Sequence, residues 1–294
     1  QVGEKGSKAA PEAAREREAA RRRRLPSTMA QQEFSGLQGK ALKSALQDYP
    51  SRQEIMANIP KQCFQKNTTL SMAYAALSVS MTILCLLFGY YLIPMTWLAL
   101  PLWMAYAAVT GTVVTGCWVV AHECGHGAFS DSVIVRDAVG YLLHTVLLVP
   151  YFSWQRSHGV HHSRTNHASE GETHVPGKAD DPQNQAMYQL AENVGEGPFA
   201  IIHMALILLV GWPMYILKGA TGGPMRGATN HFYPYAGATG QHELFPGKWK
   251  SKVWLSDIGI AAFVAGLVYW GIKEGSAMKV VAMYVGPYIV CNAW

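Results

Sequence analysis

Charge is scarce in this chain. Asp, Glu, Lys and Arg make up 15% of its 294 residues, against about 25% in an ordinary soluble protein. Cysteine is also scarce: five residues, scattered, with no CxxC pair and no disulfide framework. Positive charge is nearly absent as a patch outside the N-terminal region. Thirteen of the 24 Lys and Arg precede residue 70, so the net charge of +5 mostly reflects that region. No basic-aromatic patch follows it, and nucleic-acid binding is not expected. A secretory signal with a cleavage site is missing as well. What the chain has is apolar residues, half of the total, and they are clustered. That clustering points to a membrane.

Residues 1–66 are polar and residues 67–294 carry the apolar runs. Within 1–28, Ala, Arg and Glu dominate. Transit peptides are poor in acidic residues, so the stretch reads as an upstream artefact before Met29 or as a targeting segment. Ser51 with Glu54 three positions on reads as a helix capping box. Residues 71–94 and 97–121 hold no charge, and each matches the roughly 20 residues of a membrane-crossing helix. Only Pro94-Met95-Thr96 joins them, which predicts a helical hairpin. Ala138–Pro150 is about half a span, an interfacial or re-entrant helix, and Tyr151, Phe152 and Trp154 after it suit the headgroup zone. The run 199–217 is apolar but interrupted by Gly211-Trp212-Pro213, so the expectation is an interfacial segment. Residues 256–272 and 280–294 then form a second hairpin, cut short at Trp294. The basic N-terminal region places itself, and therefore 122–198, in the cytoplasm.

Two histidine clusters stand out on that cytoplasmic side. His122-Glu-Cys-Gly-His126 puts two imidazoles at i and i+4, on one helical face. His158-Gly-Val-His161-His162 puts three at i, i+3 and i+4. Imidazole ligates iron, zinc, copper and nickel, so the five rings can hold one metal or share two. The remaining histidines read otherwise. His144 and His203 lie in apolar runs as satisfied buried histidines. His167, His174, His231 and His242 lie in loops, solvated or supporting a ligand.

A competing pattern overlaps the first cluster. His122-Glu123-x-x-His126 is also HExxH, in which Glu is the general base of a zinc protease. A membrane zinc protease would use Glu123 well. It would leave His158, His161 and His162 unexplained, since a catalytic zinc needs three protein ligands and an open position. A transporter or structural membrane protein explains neither cluster.

The flanking words are familiar. HECGHGAFSD (122–131), LLVPYFSWQRSH (147–158), HGVHH (158–162) and GETHVP (171–176) resemble membrane-bound fatty acyl desaturases, most closely the oleate (Δ12, ω-6) branch. IPKQCFQ (59–65), GWPMYIL (211–217), NHFYPY (230–235) and LSDIGI (255–260) extend the resemblance over most of the chain from about residue 45. It implies an all-α membrane protein: two transmembrane helical hairpins under a cytoplasmic, histidine-rich metal-binding cap. It implies two irons, with His122, His126, His158, His161 and His162 as ligands and Glu123 supporting one of them. It implies O2 as co-substrate, a membrane-lipid acyl chain as substrate, and cytochrome b5 in the endoplasmic reticulum, or ferredoxin in a plastid, as electron donor. Because residues 1–28 make a poor transit peptide, the endoplasmic reticulum is expected. The family's third box, another HxxHH, is absent here, so residues 67–294 are expected to be an incomplete desaturase domain. Related enzymes of this type hydroxylate or conjugate the chain, or desaturate at ω-3.

Overall fold

The computed structural model describes residues 50–294, apart from 166, 168, 176, 178, 179, 220, 221 and 236–242. Residues 66–294 form one compact unit, and the residues before Lys66 belong to another. In that first unit, helix α1 (Arg52–Asn58) carries the expected capping box. The Ser51 hydroxyl accepts from the Glu54 amide at 3.3 Å, and the Glu54 carboxylate accepts from the Ser51 amide at 2.7 Å.

The larger unit is built on a helical hairpin. Helix α2 (Thr68–Leu92) starts at Asn67, whose side chain caps the Leu70 amide at 3.0 Å. A short link with one 3₁₀ turn, Trp97–Ala99, leads into α3 (Leu100–His126). Twenty-five residues at 1.5 Å each make α2 about 37 Å long, more than the roughly 30 Å of a bilayer core. The two helices approach closely because small residues face large ones. A Cβ on Gly89 would lie 2.6 Å from the Tyr106 ring.

Helix α4 (Val133–Thr145) follows, with Ser132 as its cap. Its 13 residues span about 20 Å, and it packs along α3; it starts and ends five residues before the expected Ala138–Pro150. Helix α5 (Tyr151–Ser163) comes next. Here the structure corrects the sequence reading. Tyr151, Phe152 and Trp154 do not face outward as lipid anchors would; all three are buried in protein. The Tyr151 hydroxyl donates to Asp137, and the Phe152 amide donates to Ser256 at 3.0 Å. These polar anchors draw the aromatic turn inward, between α3, α4 and the later helix that carries Ser256.

After α6 (Pro182–Val194) comes α7 (Glu196–Lys218). The expected break at Gly211-Trp212-Pro213 is not there: α7 is one continuous helix of 23 residues with Pro213 inside it. Proline removes one amide donor, and an apolar setting favours keeping every other backbone bond internal. Helix α8 (Trp249–Lys273) begins earlier than expected, and a tight turn leads to the apolar helical run Ala277–Ala293. That run comprises α9 (Ala277–Val280), a π-turn (Val281–Val285) and α10 (Gly286–Ala293). Helix α10 packs on α3, where a Cβ on Gly111 would strike Val290 at 2.5 Å. Among the described residues the fold is all-helical. Four helices (α2, Trp97–His126, α7 and α8) are long and apolar enough to cross a membrane.

Candidate metal centre

Helix α3 ends where the first histidine cluster ends. Gly127 adopts φ +75° and caps the helix, and a Cβ there would meet the Arg136 guanidinium at 2.6 Å. His122 and His126 therefore occupy the last turn and the turn before it. Helix α5 packs against α3 and carries His158, His161 and His162 on its C-terminal turns.

The two helices bring imidazole nitrogens together. Nε2 of His158 lies 2.9 Å from Nε2 of His122 and 3.1 Å from Nε2 of His126, and those of His122 and His126 are 3.2 Å apart. His162 adjoins the trio, its Nε2 3.2 Å from that of His158. Metal–nitrogen bonds of about 2.1 Å separate neighbouring ligand nitrogens by about 3.0 to 3.4 Å. The trio has that spacing.

Protonation agrees with the geometry. The Glu123 carboxylate lies 3.0 Å from Nδ1 of His122. A carboxylate only accepts, so Nδ1 carries the hydrogen and Nε2 presents a lone pair to the cluster. Burial first, and then the neighbouring histidines, push the His158 pKa down to about 3. Its ring is therefore neutral, the form that ligates a metal. Lone pairs converging at 3 Å repel one another unless a cation draws them, so this donor set fits a metal ion. Glu123 also faces His122 rather than the convergence point.

His161 stands apart from the trio. Its ring centroid is 6.0 Å from that of His158, and its Nδ1 donates to the Thr173 carbonyl at 3.1 Å. Nε2 is thereby left with the lone pair. The exposed His174 is nearby, ring to ring 5.7 Å, with φ +54°.

Two tryptophans buttress the cluster. Trp154 stacks on His158 at 4.4 Å and 21°, and Trp118 on His122 at 5.5 Å and 26°. Sequence reasoning missed this role for both, although each lies four residues before its histidine and so shares its helical face. His144 is buried as expected, against the Trp118 backbone, and packs edge-on against Trp154 and Tyr151. His203 is half-buried and stacks on Phe199. His231 lies in a turn between α7 and α8, as expected, but it is not solvated. It is fully buried against Tyr215 and Phe245, and its Nδ1 donates to the Ile216 carbonyl at 3.1 Å. His167 is exposed in its loop, and His242 lies outside the described residues.

Comparison with known proteins decides the family. The fatty acid desaturase family model matches residues 95–294. The chain belongs to the fatty acid desaturase family. It is 33% identical over 248 residues to the omega-6 fatty acid desaturase, endoplasmic reticulum isozyme 2, of Glycine max, covering 83% of this chain and 61% of that protein. It is 34% identical over 244 residues to the Δ12 fatty acid desaturase of Arabidopsis thaliana, covering 80% and 59%. It is 33% identical over 273 residues to the oleate hydroxylase of Claviceps purpurea, covering 83% and 55%. The chain thus spans about three-fifths of the length of the curated relatives it matches. As a desaturase-family member with four long apolar helices, it is an integral membrane protein.

Proposed function

We propose that this chain is part of an acyl-lipid Δ12 desaturase and carries two of its histidine clusters. In that reaction two hydrogens leave adjacent methylenes of a lipid-linked oleoyl chain, a cis double bond forms, and O2 is reduced to two waters with two further electrons and two protons, the electrons coming from an external donor. The observation that carries the reading is the convergence of His122, His126 and His158 from two packed helices, in a chain whose relatives are named as Δ12 desaturases and oleate hydroxylases.

Unactivated C–H bonds need a strong oxidant, and two bound irons with O2 would supply it. This chain's part is to hold and orient. His122, His126, His158 and His162 would hold one iron. His161, turned outward by the Thr173 carbonyl, would serve the other. Glu123 fixes the tautomer of His122, while Trp118 and Trp154 fix the ring planes and shut water out from below. Such outer partners tune ligand strength as well as orientation.

We place the protein in the endoplasmic reticulum, with the histidine face toward the cytoplasm and cytochrome b5 as electron donor. Helix α7 fits this arrangement as an interfacial helix. The Gly223 amide donates to the Gly171 carbonyl at 2.7 Å, so the chain leaves and rejoins one face around α6 and α7. A crossing by α7 would need a return across the membrane between Gly171 and α7, and α6, with 13 residues, reaches only about 20 Å.

The test is expression in yeast that makes oleate but no linoleate, using the protein at the length of its relatives. Gas chromatography and mass spectrometry should show a diene unsaturated at carbons 9 and 12. A hydroxylated oleate would move the assignment to the hydroxylase relatives. A membrane-inserted protein with one zinc and no new fatty acid would support a protease.

A further inference from the structure

One buried carboxylate has no part in the site described so far. Glu172 is 1% exposed, and neither carboxylate oxygen completes a well-formed hydrogen bond. It faces Ser157, buried and directly before His158, and lies in the field of Arg226. The Ser157 hydroxyl pairs with the Tyr215 hydroxyl of α7. Burying an ionisable side chain costs several kcal/mol, and an apolar residue of similar size usually packs a loop better. A carboxylate kept there calls for a reason beyond packing.

The backbone around Glu172 suggests that reason. Thr173, the next residue, offers the carbonyl that accepts from Nδ1 of His161. The stretch just before it is gripped by the segment that follows α7. Gly223 donates to the Gly171 carbonyl at 2.7 Å, Met225 to that of Ser169 at 3.2 Å, and the Arg226 Nε to that of Glu170 at 3.1 Å. The grip requires glycine. A Cβ on Gly223 would sit 2.3 Å from the Ser169 carbonyl oxygen, and one on Gly222 would sit 2.7 Å from that of Glu172.

We propose that Glu172 is a positioning residue for His161, setting the Thr173 carbonyl that aims its ring, with segment 222–226 as the clamp. The proposal rests on His161 being a metal ligand. Glu172 plugs the loop between α5, α7 and Arg226. The clamp closes it from the other side, and Nε2 of His161 is held toward its metal.

The experiment is a double-mutant cycle on the relative-length protein in detergent, titrated with iron(II) and followed by ligand-field circular dichroism. Glu172→Ala should weaken iron binding about 10- to 100-fold, the usual effect of losing a ligand's outer support, and should change the spectrum. Glu172→Gln, which keeps the side chain's volume, should recover most of the affinity. In a His161→Ala background, Glu172→Ala should add nothing, because coupled residues are not additive. If Glu172→Ala does not fold, Gly223→Ala takes its place in the same cycle. Unchanged affinity in the alanine variant, or an equal loss with and without His161, overturns the positioning role alone. Unchanged affinity in His161→Ala itself overturns the ligand assignment, and the proposal with it.

Discussion

The Trp154 ring lies against the His158 ring, with centroids 4.4 Å apart and planes 21° from parallel. His158 is the ring that joins the two helices' nitrogens, so its plane decides whether the trio closes. Trp154→Ala is expected to cost about 3–5 kcal/mol of stability, as large buried aromatics do, and to lower the iron bound per chain. Trp154→Phe should keep part of both. Thermal unfolding in detergent and metal analysis of the purified protein read the two effects separately.

Gly125, inside the first histidine cluster, makes room for the same tryptophan. A Cβ there would lie 2.6 Å from Cζ3 of Trp154. Gly125→Ala is therefore expected to destabilise by about 1–3 kcal/mol through overpacking. Combined with Trp154→Phe, which removes the struck ring, the penalty should shrink. Melting the four proteins of that cycle measures the coupling, and strict additivity would disprove the contact.

The histidine clusters were legible because helical spacing alone puts i and i+4 on one face. The α2–α3 hairpin was legible from two uncharged runs with a three-residue link. Trp118 and Trp154 obeyed the same i+4 rule but resembled ordinary apolar residues, and Trp154 was taken for a membrane-surface anchor. The support of His161 was not legible at all. It comes from a backbone carbonyl, held by glycines some fifty residues further along, and local pattern carries no trace of such a pairing. Helix α7 shows the opposite error: Gly-Trp-Pro reads as a break in water, but an apolar setting keeps the helix whole.

Glu123 separates the desaturase reading from the protease reading. As the partner of His122 Nδ1 it should tolerate Gln, whose carbonyl oxygen still accepts. Glu123→Gln is expected to lose less than about tenfold in iron affinity, and Glu123→Ala about 10- to 100-fold. Fatty-acid analysis should follow the same order. A general base on a metal-bound water would not survive either change, so complete inactivation by Gln with full metal loading would favour that role.

His231 sets an acid limit on stability. Burial lowers its pKa from 6.5 to about 4. Above pH 6.5 the ring is neutral in both states and costs nothing. As pH falls from 6.5 towards 4, the unfolded chain takes up a proton that the folded chain refuses, and stability drops by on the order of 3 kcal/mol. Glu172, raised by burial to about 7 from 4.5, acts in the opposite sense and loses stability as pH rises across that window. His231→Asn keeps a donor for the Ile216 carbonyl and does not titrate. The difference in melting temperature between wild type and His231→Asn should therefore change between pH 7 and pH 4.5, with wild type falling faster. A constant difference would mean that the ring is hydrated.

Helix α7 is long enough to cross a membrane, yet the Gly171–Gly223 hydrogen bond ties together the segments on either side of α6 and α7. If the helix lies at the interface, its two ends share a side. Single cysteines at Asn193 and Ala228, in protein whose exposed Cys63 is replaced by Ser, should both react with an impermeant maleimide on sealed, cytoplasm-out microsomes. A cysteine at Thr96, in the turn between α2 and α3, should react only after the vesicles are opened, because α3 alone separates that turn from the histidines. Protection of the Asn193 site with labelling of the Ala228 site would make α7 a crossing helix. The loop bearing Thr173 would then have to climb back across the membrane within α6, whose 13 residues reach only about 20 Å. Labelling of both ends keeps the clamp and the histidines on one face, where a soluble electron-donor domain can reach them.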